Sequence, residues 1–271
     1  MKTQTQTKII AFAMIIAMLL PIKSIGQTLL DGKTIADNTY NRDEGISMSR
    51  KLIMKLKDKR GKVRVRETIS LRKYFGKEKK LAIFYETPTS VKGTAFLTFD
   101  YPEASRDDDQ WLYLPALRKT RRISAANRGD YFLGTDLTYE DIKLETRISK
   151  EDYNYTTIGK EAIVSRETYV IEGVPKDKKI AKELGQSKVK VWVDAERWIL
   201  MKAESWDVAG NFLKTVVIKD FKKIQNIWTY HTIHVLNHKT KHETEFILKD
   251  VVYNGDLSDD YFTEEALVNG L

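Results

Sequence analysis

The sequence contains no cysteine. That excludes disulfide staples, thiol catalysis, Cys-ligated zinc and the cysteine-linked anchor of a lipoprotein, so the fold must be held by its own core. Long apolar runs are equally scarce. One unbroken run, Ile9 to Leu20, follows Lys2 and Lys8, and it is shorter than the roughly 20 residues of an ordinary transmembrane helix. Pro21 and then Ser24-Ile25-Gly26 come after it, the small-x-small pattern of a secretory cleavage site. The expectation is a signal peptide over residues 1–26, cleaved near Gly26, with a retained anchor as the alternative. It implies export to the periplasm and a soluble mature chain, residues 27–271, forming a single domain. No P-loop, dinucleotide-binding glycine pattern or G-x-S-x-G nucleophile elbow occurs.

Charge is plentiful and unevenly placed. The whole chain carries 46 basic and 38 acidic residues. Residues 27–128 hold 23 basic and 13 acidic residues, whereas residues 129–271 hold 20 and 25. Such asymmetry can mark a nucleic-acid binder. An exported protein meets anionic lipid far more often than nucleic acid, and a solvated face accounts for most of it, so no nucleic-acid partner is expected.

Alternation with a period of two dominates from Ser47 onward. Leu52, Met54 and Leu56 alternate with lysines, Asp58 to Gly61 makes a turn, and Val63 and Val65 alternate with Arg64 and Arg66. This reads as a half-buried hairpin, apolar on one face and charged on the other. Leu81 to Tyr85 is apolar on both faces and should be covered on both sides. Gly93 to Phe99, Trp111 to Leu114, Tyr153 to Ile158, Glu167 to Glu172, Val189 to Val193, Trp198 to Trp206 and Phe212 to Phe221 continue the pattern. Trp228 to Leu236 and His242 to Val252 make a last hairpin. Short helices are expected at Leu29–Asn41, Asp177–Leu184 and Asp259–Leu267, the last capped by Ser258. Eleven or twelve strands with tight turns imply a mainly β, antiparallel sandwich or barrel. Their charged faces argue against an outer-membrane barrel.

Few constellations suggest chemistry. All four histidines, His231, His234, His238 and His242, lie in the last hairpin. With a two-residue turn at His238-Lys239, Val235 would oppose His242. His231 and His242 would then share a face about 13 Å apart, at roughly 3.3 Å per residue, against the ~2 Å bonds of a zinc site. No metal or other cofactor is expected. Asp136, Glu140 and Asp141 could form a glycosidase-like carboxylate pair, but acids in a loop are usually solvated. Arg118, Lys119, Arg121 and Arg122 could grip a phosphate head group or pair structurally with Asp107–Asp109 and Asp130. The apolar residues Leu97 with Phe99, Trp111 with Tyr113, and Ile199 with Met201 share faces by alternation. Together with Phe132, Leu133 and Trp228 they are candidates for a cavity wall or for ordinary core.

Gly93–Leu97 (GTAFL), Trp111–Pro115 (WLYLP), Arg121–Ser124 (RRIS) and Gly134–Asp141 (GTDLTYED) together resemble the exported outer membrane lipoprotein-sorting protein family, distant relatives of the LolA carrier. The resemblance spans nearly all of the mature part. It implies a single antiparallel sheet curved into an unclosed β-barrel, with a few short helices as a lid over an apolar cavity. It also implies a non-catalytic, monomeric carrier of lipids or lipid-modified proteins, passing cargo between an inner-membrane exporter and an outer-membrane acceptor. Apart from the resemblance, which transfers no residue by position, Asp136 and the arginines at 118, 121 and 122 are read as head-group contacts or structural ion pairs. Burying hydrocarbon contributes about 0.8 kcal/mol per CH₂, hence more than ~10 kcal/mol for a sixteen-carbon chain, so such a carrier needs an enclosed apolar pocket. The alternatives are an envelope protein-interaction module, such as a stress sensor or exporter accessory, and a hydrolase using Asp136 or Glu140.

Overall fold

Strand pairing sets the shape of this molecule. The computed structural model describes residues 29–103 and 105–271, and the expected signal peptide lies outside the described residues. Helix α1 (Gly32–Tyr40) comes first, capped by Asp31, whose carboxylate accepts the Thr34 N–H at 3.0 Å. Gly32 has no substitute there, because a Cβ would sit 2.5 Å from the Tyr155 backbone.

Six strands then run back and forth: β1 (Ser47–Lys57), β2 (Val63–Phe75), β3 (Glu78–Thr87), β4 (Ala95–Asp100), β5 (Asp109–Leu114) and β6 (Lys119–Arg122). Residues 123–152 form a crossing segment that holds α2 (Tyr139–Leu144). The chain continues through β7 (Tyr153–Ile163), β8 (Arg166–Pro175), α3 (Lys178–Leu184), β9 (Gln186–Asp194), β10 (Leu200–Asp207) and β11 (Phe212–Lys219). A small ribbon, β12 (Lys222–Ile224) with β13 (Ile227–Thr229), precedes β14 (Thr232–Asn237), β15 (Glu243–Tyr253) and α4 (Glu264–Asn269).

Thirteen of these strands make one sheet in the order β6-β5-β4-β3-β2-β1-β15-β14-β11-β10-β9-β8-β7. Every neighbouring pair is antiparallel, and the edges β6 and β7 do not pair with each other, so the barrel stays open. The mainly β, unclosed architecture is the expected one. Residues 123–152 connect one edge of the sheet to the other and pass over its inner face. Along the way Arg66 of β2 donates to the Leu133 carbonyl at 2.5 Å, Asn237 of β14 donates to the Tyr131 hydroxyl at 2.9 Å, and the Asp136 N–H reaches Thr244 of β15 at 3.1 Å.

Two apolar clusters follow from the alternation. On the inner face Met54, Leu81, Ile83, Phe96, Val191, Val235 and Phe246 pack with Ile35 of α1 and with Phe132, Leu137 and Ile142 of the crossing segment. On the outer face Leu71, Ala82, Phe84, Ala95 and Leu97 pack under Phe262, Ala266 and Leu267 at the chain's C-terminal end. Leu81 to Tyr85 is thus covered on both sides, as its unbroken apolar character requires.

Several local expectations are corrected. The first hairpin turn contains Lys62 as well, with Lys57 opposite Val63. That one extra residue flips the return strand. Leu52, Met54 and Leu56 therefore share the inner face with Thr68, Arg66 and Arg64, while Val63 and Val65 stand exposed. Gly159 does not break a strand; it sits at a bulge in a continuous β7. The last hairpin turn is wider than two residues, since Leu236 faces Glu243 and the Asn237 N–H donates to the His242 carbonyl. Trp228 belongs to the β12–β13 ribbon and not to that hairpin. The C-terminal helix is two pieces, a 3-10 turn capped by Ser258 and α4 capped by Thr263. The strand count exceeds the expected one through the short β6, β12 and β13.

Candidate functional site: an apolar cavity beside a buried charge network

The crossing segment is fastened at defined points. Thr138 caps α2 reciprocally with Asp141, each side chain meeting the other's backbone N–H. Lys214 of β11 pairs with Asp141 from the sheet side. Asp136, almost wholly buried, accepts from Thr244 at 2.6 Å and contacts His242 Nδ1 at 2.5 Å. At the far end Gly129 lies against the α3 backbone and donates to the Glu183 carbonyl at 2.9 Å. A Cβ there would come within 2.4 Å of that oxygen.

Between this segment and strands β9 to β14 lies a cavity of about 100 Å³. Its apolar wall is Leu137, Leu144, Ile148, Tyr155, Val189, Val191, Leu200, Ala203, Val216 and Ile233, with Glu140, Asp141, Arg147, Asp152 and Lys214 at its margins. A second, polar cleft of about 340 Å³ adjoins it, bounded by the loop after β4, by α2 and by α3. The two share Glu140, Leu144, Ser149 and Asp152.

Where the inner face meets β1 to β4 the filling is ionic. Arg50, Arg72, Lys79 and Asp100 project from the same end of four neighbouring strands and meet Glu44, Glu145 and Arg147 from the flanking loops. Arg50 pairs with Glu145 at 2.6 Å; Arg72 spans Glu145 and Glu44, each at 3.2 Å. Arg147 meets Asp100 at 2.5 Å and Glu44 at 3.7 Å, and Lys79 lies 3.4 Å from Asp100. Burial alone would raise both glutamates, but Arg72, Arg147 and Arg42 hold the Glu44 carboxyl well below its usual range. Arg50 and Arg72 likewise hold Glu145 down, to about 2. Burial and the neighbouring Arg147 push the Lys79 ammonium down to about 8. The network continues through Lys143, which pairs with Glu140 at 2.8 Å and with Asp108, to Arg128, which holds Asp152 with two bonds of 2.8 and 3.0 Å.

The residues singled out from sequence fall into separate places. Leu97, Phe99, Trp111 and Tyr113 lie on the outer face, against the C-terminal segment, and not at the cavity. Their alternation was sound, but their partners Phe96 and Leu112 are the inward members. Ile199 and Met201 are buried, yet Leu200 between them is the residue that reaches the cavity. Phe132 is fully buried and Leu133 packs beside it, both in the crossing segment's own core with Phe96 and Tyr139. Trp228 carries the Arg197 guanidinium over its ring at 3.7 Å. Arg122 pairs with Asp109, as the structural reading of the basic strand expected. Arg118 and Arg121 are exposed, and no ion pair among the described residues involves either.

Asp136, Glu140 and Asp141 each engage a different base, namely His242, Lys143 and Lys214. The histidines are similarly dispersed, with His231 on the Leu248 carbonyl, His234 on Glu243 and His238 on Thr215. The cavity wall was missed because Val189, Val191 and Val216 look like any inward strand positions. Leu144 and Ile148 carry no alternation at all.

An unclosed antiparallel sheet wrapped over a crossing segment, with an apolar cavity between them, defines the class: this is the LolA-like fold. A family model described as "Uncharacterized protein"-like matches residues 76–269. No curated protein matches the sequence. Among solved structures, a candidate outer membrane lipoprotein-sorting protein domain from Vibrio parahaemolyticus is 30% identical, with a TM-score of 0.78 over 88% of this chain and 98% of that one. A DUF1329 family protein from Desulfovibrio piger is 28% identical, with a TM-score of 0.79 over 87% and 97%. A LolA superfamily protein from Nitrosomonas europaea, at 21% identity and a TM-score of 0.65 over 88% and 99%, shares the fold. The chain belongs to the outer membrane lipoprotein-sorting protein family.

Proposed function

We propose that this protein is a non-catalytic carrier of a lipid or of a lipid-modified protein in the periplasm. The observation that carries the reading is the apolar cavity enclosed between the LolA-like sheet and the crossing segment. At about 100 Å³ it is smaller than the roughly 300–1,000 Å³ of ordinary ligand sites, so the structure corresponds to a closed form. Cargo enters when the stretch 131–144 lifts from β9 to β14 while Glu145 and Arg147 stay in the ion network, exposing Leu144, Val191 and Leu200 to an acyl chain. Burial of the chain's methylenes, at about 0.8 kcal/mol each, drives uptake.

The family relationship and the secretory pattern at residues 1–26 support an envelope setting, with 27–271 as one mature unit. In that setting the protein would act as a monomer, with an inner-membrane exporter or an outer-membrane acceptor as its partner. Among the described residues no helix is long and apolar enough to cross a membrane.

A disulfide lock tests the reading. Asp136 and Thr244 touch across the segment–sheet junction, and the chain has no other cysteine to interfere. In the double variant Asp136→Cys/Thr244→Cys, oxidation should weaken fatty-acid uptake by about tenfold or more, that is by ~1.4 kcal/mol, and reduction should restore it. Equal uptake in both redox states would remove the crossing segment as the gate. Failure of the unaltered protein to take up any acyl probe would remove the carrier function.

A further inference from the structure

We infer that the polar cleft beside the cavity is the head-group subsite of the same ligand, and that it selects a primary ammonium. The inference rests on the carrier reading above. The two spaces meet at Glu140, Leu144, Ser149 and Asp152, so an amphiphile with its tail in the apolar cavity would place its head in the cleft.

Two acceptors wait there. Gln110 and Glu140 are each about 95% buried, at 4% and 5% exposure. Gln110 Oε1 and Glu140 Oε2 have no hydrogen-bond donor among the described residues. Buried acceptors without a donor cost about 1–3 kcal/mol each in a folded protein, so a ligand that donates to them gains affinity from the fold's own deficit. The other Glu140 oxygen is taken by Lys143 at 2.8 Å, whereas the Arg128 guanidinium is 3.7 Å from Oε2, beyond hydrogen-bond reach and committed to Asp152.

The charge balance agrees with the geometry. Eight carboxylates and six cationic side chains line the cleft, which leaves room for added positive charge. Burial pushes the Glu140 carboxyl up in spite of Lys143 and Arg128. An ammonium supplies three N–H donors and a charge, a hydroxyl supplies one donor and no charge, and a trimethylammonium supplies a charge and no donor. Only the first brings both a charge and several donors to the cleft. Arg128 Nε is a leftover donor at the same place, and it suits the phosphate oxygen that neighbours the ammonium in a zwitterionic head.

Competition against a fluorescent fatty acid tests this on the unaltered protein, with three lysolipids that share a myristoyl tail and carry ethanolamine, choline or glycerol phosphate heads. The ethanolamine lipid should bind about tenfold tighter than the other two, equivalent to ~1.4 kcal/mol. Glu140→Gln should bring the three within about threefold of one another, chiefly by weakening the ethanolamine lipid. If all three bind equally, or choline binds best, the head-group inference falls and the carrier reading stands. If neither the fatty acid nor any lysolipid binds, both fall. The lipid series requires no variant to fold, so an unstable Glu140→Gln protein leaves the inference open to refutation.

Discussion

The inner face of one sheet is filled in two opposite ways. Across β9 to β14 it is lined by valine, leucine and isoleucine and leaves a cavity. At one end of β1 to β4 it is filled by Arg50, Arg72, Lys79, Asp100, Glu44, Glu145 and Arg147, all with buried side chains. Apolar contacts are non-directional, so opening the first region breaks few specific pairs, chiefly Lys214–Asp141 and Asp136–Thr244. Buried ion pairs are directional, and each member left alone in the interior carries a large desolvation cost. The second region therefore behaves as the fixed half against which the first can move. The crossing segment joins them, with Glu145 and Arg147 in the ionic region and Leu137, Leu144 and Ile148 at the cavity.

The largest test of this contrast is Glu145→Ala. It leaves Arg50 and Arg72 buried without their shared carboxylate and should cost about 3–5 kcal/mol of stability in urea denaturation. A loss under about 1 kcal/mol would mean that the network is not structural. Acid should attack the same region selectively. Glu44 and Glu145 have lowered pKa values in the fold, so their contribution is complete above the ordinary glutamate value of 4.5 and drains away as pH falls through the folded values. Lys79 gives a slope of the same sign in a higher window, because burial disfavours its charged form. With its pKa lowered to about 8 from 10.5, the native state loses that proton first, and stability should rise between those two values. Denaturation midpoints measured across pH read both limbs, and a flat acid limb would contradict the buried pairs.

On the cavity side, Ala203→Leu fills space instead of breaking bonds. Stability should change by less than about 1 kcal/mol, while fatty-acid uptake measured by fluorescence falls severalfold. Unchanged uptake would place the acyl chain elsewhere. At the small end lies the exposed pair Lys55–Glu245, 2.9 Å apart on adjoining strands. A double-mutant cycle there should give about 0–1 kcal/mol, and a coupling as large as that of the buried pairs would erase the distinction.

Much of this architecture was legible in the residues. Alternation at 52–56 marked a strand with one buried face, the unbroken apolar run at 81–85 marked one covered on both, and Asp177 with Gly185 marked the ends of α3. What alternation does not reveal is which of two buried faces looks inward. Leu97, Phe99, Trp111 and Tyr113 alternate perfectly, yet they face the C-terminal helix, and a single additional turn residue reverses Val63 and Val65. The ionic core was illegible for a related reason. Arg50, Arg72 and Lys79 look like the exposed partners of apolar neighbours until Glu44 and Glu145, distant in sequence, fold down on them. The ordered motifs around residues 93–141 pointed to the family, while the cavity wall, Leu137 apart, drew on valines and leucines that no motif contains.

The pairing of β1 with β15 sets Met48 opposite Tyr253, across nearly the whole mature chain, at the middle of the sheet and not at its edge. A sheet centred on such a contact folds late, since the entropy of closing so long a loop must be met before the contact exists. During synthesis β1 waits unpaired on its second side until the last strands are made, so the two halves of the sheet join at the end, and a chain truncated before β15 would lack its middle strand.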